Sequence, residues 1–257
     1  MKWLGRISAA DLLTVSNGIL GVLAITYILD GKHVVATLLI FVAVILDGLD
    51  GIVARRFGSP HEFGRFLDSI SDAVSFCLAP ALIIYHNFYD KSLGSAWVYM
   101  PNAVAVVTCM FYASFGILRL ARFAGKDYAK SHFLGLPTPA ASVVVLTLCT
   151  LWGNPEYNPL VVDEQASFVL VITIMLSILM ISSIPYPTVR RGLAGVSGGV
   201  ILLASIPLIW QLTSDGQFEI PGRSIEFFAV ALMFAYVVFG PLLAYYQSSK
   251  KRLGAKT

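Results

Sequence analysis

The stretch Val34-Val-Ala-Thr-Leu-Leu-Ile-Phe-Val-Ala-Val-Ile-Leu46 is apolar but for Thr37, and it stops on Asp47-Gly-Leu-Asp50-Gly51. A bilayer-crossing helix needs about 20 predominantly apolar residues, and this one reaches that length when it continues to Ala54. Its acids then fall at membrane depth, close to one end. Working outward, the same alternation of apolar runs with polar, Gly and Pro punctuation predicts eight helices. They cover about 12–30, 34–54, 66–88, 100–122, 138–152, 168–186, 193–212 and 225–247. The fifth is short, behind the turn Leu136-Pro137-Thr138-Pro139.

Composition agrees with that reading. Hydrophobic residues make up 57% of the 257 positions and charged ones 13%, with a mean hydropathy of +0.76. A soluble domain carries about 25% charged residues, and a disordered chain combines low hydrophobicity with high charge, so both classes are excluded. With the N-terminus on the cytoplasmic side, all of the 18 Lys and Arg fall inside except Lys32, Lys91 and Arg223. That asymmetry is the positive-inside pattern. The expected architecture is an all-α polytopic membrane protein of about eight spans, with both termini cytoplasmic. No repeat or long linker divides it, so residues 1–257 are read as one integral-membrane domain. Met1–Arg6 runs into the first span with no small-residue cleavage pattern behind it. Cys77, Cys109 and Cys149 all sit in apolar runs without close spacing, as buried reduced thiols do. Nothing points to nucleic acid.

A single Asp near a helix end is ordinarily a cap. Here there are four, at helical spacing, on consecutive helices. Asp47 and Asp50 are three apart and Asp68 and Asp72 four apart, so each pair shares a helix face. The connection from Arg55 to Arg65 is short, which makes the two helices antiparallel neighbours with their acids at similar depth. Charge inside a membrane is costly and marks function. Four carboxylates in one low-dielectric spot repel unless cations join them, and hard oxygens suit Mg²⁺ or Mn²⁺. Gly48, Gly51, Ala54 and Gly64 keep the surroundings small, and Arg55, Arg56 and Arg65 stand where they could meet phosphate.

Asp47-Gly-Leu-Asp50-Gly51-Ile-Val-Ala54-Arg55, then eight residues, then Gly64-Arg-Phe-Leu-Asp68-Ser-Ile-Ser-Asp72 resembles the CDP-alcohol phosphotransferase signature D-x-x-D-G-x-x-A-R, x8, G-x3-D-x3-D at every fixed position. The resemblance implies an active site at the cytoplasmic end of the bundle. There a CDP-linked lipid binds through its pyrophosphate to two divalent cations, and an alcohol displaces CMP. Asp47, Asp50, Asp68 and Asp72 would be metal ligands, and Asp72 also the general base unless a metal-held water takes the proton. Gly51, Ala54 and Gly64 would make room for the nucleotide, with Arg55 near the phosphates.

Other stretches are similar to bacterial and archaeal phosphatidylserine synthases. Thr14-Val-Ser-Asn17-Gly-Ile-Leu-Gly21 matches their T-x2-N-x3-G stretch, which puts Asn17 at the CDP-lipid, although Ala10-Asp11 stands where they have Pro-Asn. Arg119-Leu-Ala-Arg122-Phe123, Phe133-Leu-Gly135-Leu-Pro137-Thr-Pro139 and Pro185-Tyr186-Pro187 match further segments. The expected partners are therefore CDP-diacylglycerol or CDP-archaeol, L-serine and inner-leaflet lipids in the cell membrane, with a homodimer implied by the family. On physical grounds Arg119 and Arg122 either hold the carboxylate of an amino-acid acceptor or mark the membrane boundary. His61 and His132 read as loop residues, and Lys250-Lys251-Arg252 as an anchor to anionic lipid.

Three rival readings have their own requirements. Glycerol 3-phosphate or inositol phosphate as acceptor calls for a phosphate-binding cluster rather than a carboxylate site. An intramembrane prenyltransferase needs two Asp-rich motifs far apart in sequence. A cation transporter needs acids near the midplane on broken, repeated helices.

Overall fold

The computed structural model describes residues 8–57, 62–89, 100–124, 133–152, 163–186, 191–213, 225, 228–242 and 245. The helices are α1 (Ala9–Leu29), α2 (His33–Phe57), α3 (Glu62–Asp72), α4 (Ala79–Phe88), α5 (Met100–Ala124), α6 (Thr138–Trp152), α7 (Asp163–Ile181) and α8 (Arg191–Thr213). A further apolar helix, α9, covers Phe228–Leu242. Among the described residues, Ala9–Leu29, His33–Ala54, Phe63–Phe88 and Asn102–Ala124 are each long and apolar enough to cross a membrane. The chain is an all-α multi-pass membrane protein. Leu12, Ile19, Leu29, Ile70, Met110 and Leu118 stand exposed on its outside, where a bilayer rather than water covers them.

α1 begins earlier than the apolar run suggests, because Ser8 and Asp11 close a capping box. The Asp11 carboxylate accepts from the Ser8 backbone N–H at 2.7 Å, and the Asp11 N–H donates to Ser8 Oγ at 3.3 Å. The helix ends in a Schellman turn: Lys32 N–H donates to the Tyr27 carbonyl at 2.8 Å and Gly31 N–H to that of Ile28 at 3.0 Å. The turn folds α2 back along α1, and the α1–α2 pair is the most extensive helix contact of the bundle.

α3 and α4 form one rod joined by a π-helical segment, Ala73–Leu78. Pro80 has no N–H for the carbonyl of Phe76 four residues back, and the Tyr112 hydroxyl of α5 donates to that carbonyl at 3.1 Å. At Gly21 the α1 backbone comes so near this segment that an added Cβ would lie 2.8 Å from Ser75 Cα. Hydroxyls buried within single helices turn back on their own backbone, as Thr173 does on the Val169 carbonyl at 2.8 Å and Ser177 on that of Thr173 at 2.7 Å.

The sequence predicts a sixth helix to residue 186, but α7 stops at Ile181. Beyond it Pro185–Tyr186 pairs antiparallel with Phe133–Leu134, two residues a side. Gly135 makes this junction possible. Its φ is +81°, and a side chain there would strike the Met180 carbonyl. Gly135 N–H donates to the Ile184 carbonyl at 2.8 Å and Leu136 N–H to that of Leu179 at 3.0 Å.

Candidate active site

The end of α2, the first half of α1, the end of α3 and the end of α5 meet at one end of the bundle. Asp47, Asp50 and Asp68 each bring a carboxylate oxygen there, all within 4.8 Å of one another. Asp72 is buried beside them and within electrostatic reach of the other three. The two helix pairs expected from spacing therefore face each other.

α1 supplies the partners that fix these acids. The Thr14 hydroxyl donates to Asp50 Oδ2 at 2.7 Å. Asn17, fully buried, donates its Nδ2 to Asp72 Oδ1 at 3.0 Å, and its own carbonyl accepts from Ser75 Oγ at 2.8 Å. Sequence similarity puts Asn17 near the nucleotide; in the structure its Nδ2 is engaged by Asp72 while its Oδ1 is buried without a hydrogen-bond partner. Thr14 belongs to the T-x2-N-x3-G stretch, and nothing in its spacing announces a carboxylate 36 residues away.

Asp68 Oδ1 is buried with no hydrogen-bond partner. An orphaned carboxylate oxygen beside two further carboxylates is the donor set of a hard divalent cation, so the residues fit such an ion. Arg119 lies within electrostatic reach of Asp47 and Asp72, but a single guanidinium cannot balance four carboxylates. Around them Gly51, Ala54 and Gly64 are half-buried, and a Cβ on Gly48 would meet nothing within 4 Å. Position 55 lies on α2. His61, His132 and Lys250–Arg252 lie outside the described residues.

The two arginines of α5 part company. Arg119 is 5% exposed; its Nη1 donates to Thr138 Oγ1 at 3.2 Å, its guanidinium lies 4.7 Å from the centre of the Phe123 ring, and its Nε is buried without a partner. Arg122 donates from Nη1 to the Ile181 carbonyl at 3.1 Å and stands 3.4 Å from that of Ser182. It thus satisfies carbonyls that the end of α7 leaves over. A residue that the sequence did not single out, Tyr236 of α9, comes within electrostatic reach of Arg119.

Residues 7–179 match the model of the CDP-alcohol phosphatidyltransferase family. The chain is 37% identical over 185 residues to the archaetidylserine synthase of Methanothermobacter thermautotrophicus, covering 71% of each protein. It is 35% identical to the CDP-diacylglycerol–serine O-phosphatidyltransferase of Methanocaldococcus jannaschii, over 70% of this chain and 74% of that one. The Helicobacter pylori (strain 26695) protein of the same name is 33% identical, over 78% and 80%. With the family match spanning α1 to α7 and the four acids gathered at its centre, the chain belongs to the CDP-alcohol phosphatidyltransferase family.

Proposed function

We propose that this protein transfers a phosphatidyl or archaetidyl group from a CDP-linked lipid to the hydroxyl of L-serine and releases CMP. The observation that carries the reading is the convergence of Asp47, Asp50 and Asp68, with an unpartnered oxygen on Asp68, in a chain whose relatives bear serine-transferase names. Asp47, Asp50, Asp68 and Asp72 would hold divalent cations, two Mg²⁺ or Mn²⁺, whose charge would neutralise the pyrophosphate and favour CMP as leaving group. Asn17 fixes one oxygen of Asp72, so the other oxygen takes the proton of the serine hydroxyl. The serine oxygen bonds to the lipid-side phosphorus as the bond from that phosphorus to the CMP oxygen breaks. Gly51, Ala54 and Gly64 leave space for the nucleotide, with Arg55 beside its phosphates. Of the two arginines only Arg119 stands with the acids, and it carries the acceptor role.

In this reading the acids lie at the cytoplasmic face of a cell membrane, all eight helical rods cross it, and both termini are cytoplasmic. The whole chain acts as one membrane domain, working as a homodimer among inner-leaflet lipids. A groove of about 470 Å³ between α1 and α3 runs from Ser71, next to Asp72, along Val15, Ile19, Leu67 and Ile70. Its apolar walls suit a donor whose tails stay in the bilayer while its head reaches the acids.

The test is an acceptor screen with purified protein, CDP-diacylglycerol or CDP-archaeol, and Mn²⁺. CMP release should require serine and should not respond to glycerol 3-phosphate or inositol phosphate. Release driven by a phosphorylated alcohol, with serine inert, rejects the serine reading.

A further inference from the structure

At the end of the bundle away from the acids, two imidazoles meet. His33 opens α2 and His86 lies in the last turn of α4. Their ring centres are 4.5 Å apart, with the planes inclined at 56°. Each stands at the far end of a rod that carries two of the acids. Asp47 follows His33 by fourteen residues, about 21 Å of helix rise, and Asp72 precedes His86 by as many residues.

His33 is 5% exposed, and its Nδ1 is buried without a hydrogen-bond partner. Buried polar atoms ordinarily have a partner, and imidazole nitrogen is the commonest metal ligand among side chains. Two further buried oxygens at this end are also unpartnered. Thr37 Oγ1 lies one turn along the same face of α2, and Asn87 Oδ1 belongs to the residue after His86.

The spacing of the rings suits joint ligation. With metal–nitrogen bonds of about 2.0 Å, two imidazoles at a right angle on one ion have ring centres about 4.5 Å apart, and at a tetrahedral angle about 5 Å. The separation found is that of neighbouring ligands in a tetragonal Cu²⁺ or Ni²⁺ site. Carboxylate oxygens at the other end favour hard ions, so the two ends of these rods would sort cations by softness.

We propose that His33 and His86 form a metal site separate from the acids, for a nitrogen-preferring ion of the Cu²⁺ or Ni²⁺ class, which clamps the start of α2 to the end of α4. The site stands independently of the proposed serine transfer.

The chain has four histidines, so a His61→Gln/His132→Gln variant keeps only this pair. The experiment takes that double variant, without an affinity tag, and versions of it with His33→Gln or His86→Gln added. Excess Mg²⁺ occupies the acids while Cu²⁺ is titrated in, and pulsed EPR detects the remote nitrogen of each bound imidazole. The double variant should bind one Cu²⁺ through two imidazoles, and the ion should raise its midpoint of thermal unfolding. Adding His33→Gln or His86→Gln should leave one imidazole at most and weaken binding by more than about ten-fold. No imidazole signal in the double variant, or a signal and affinity unchanged when His33 or His86 is replaced, overturns the proposal. Should a triple variant fail to fold, the double variant decides by itself, because His33 and His86 are its only imidazoles.

Discussion

Asp50 is held by Thr14 and Asp72 by Asn17, two residues of α1 that bear no formal charge. Partners of this kind orient metal-site ligands, and losing one typically costs 10- to 100-fold in affinity or activity. The two should fail differently. Thr14→Val frees a ligand, so the Mn²⁺ concentration for half-maximal activity should rise about ten-fold or more. Asn17→Leu disturbs the proton acceptor, so kcat should fall by about 10- to 100-fold with the metal requirement nearer normal. A metal titration of each purified variant distinguishes them, and the reverse pattern would exchange the two assignments. The acids themselves could be read from the chain, since spacings of three and four on neighbouring helices force shared faces. Their partners could not, because a Thr or Asn in a membrane helix more often bonds its own backbone, as Thr173 does. Arg119 and Arg122 mark the same boundary. Three residues apart, they look like a pair, yet one faces the acids and the other closes the end of α7.

Among the elements, the rod α3–α4 departs furthest from its sequence. Apolar periodicity over 66–88 predicts a plain helix, and the π-helical segment leaves no trace in that pattern because every residue from Ala73 to Leu78 suits either winding. π-helical turns inside α-helices frequently occur at functional sites, and this one follows directly on Asp72. Tyr112 is its support from outside. Tyr112→Phe keeps the ring and leaves the Phe76 carbonyl unsatisfied, at a cost of about 1–2 kcal/mol. The midpoint of thermal unfolding in detergent should fall accordingly, and an unchanged midpoint would mean that the carbonyl finds another donor. The early stop of α7 was hidden for a different reason. Apolar character resumes at Ile184 after Ser182-Ser183, and the pairing of Pro185–Tyr186 with a segment some fifty positions upstream holds the chain out of the helix.

For the molecule as a whole, the apolar runs and the lopsided distribution of Lys and Arg carry most of the architecture. Eight runs in the sequence correspond to α1, α2, the α3–α4 rod, α5, α6, α7, α8 and α9. The proposed orientation has a direct check. Cysteines introduced at Lys32 and Lys91, in a background with Cys77, Cys109 and Cys149 replaced, should react with a membrane-impermeant maleimide from outside intact cells. A cysteine at Arg56 should react only after the cells are opened. Labelling of position 56 from outside would invert the molecule and put its acids on the wrong face for cytoplasmic CMP and serine. What the sequence did not reveal at this scale is the part played by its C-terminal end. Tyr236 has no motif around it, and its place beside Tyr186 depends on how α9 packs there.

The widened turn after Asp72 has an evolutionary and engineering consequence. In an α-helix each residue advances the rotation by about 100°. Were Ala73–Leu78 to wind as ordinary α-helix with every residue kept, the segment would turn roughly 100° further than in its wider π-helical form. That would swing Asp68 and Asp72 roughly a quarter-turn or more relative to the buried half of the rod, while changing hardly any apolar surface. Such a protein would still insert and fold, but half of its ligand set would be aimed elsewhere. The winding of this one turn thus acts as a constraint of its own on the chain, separate from the identity of the acids.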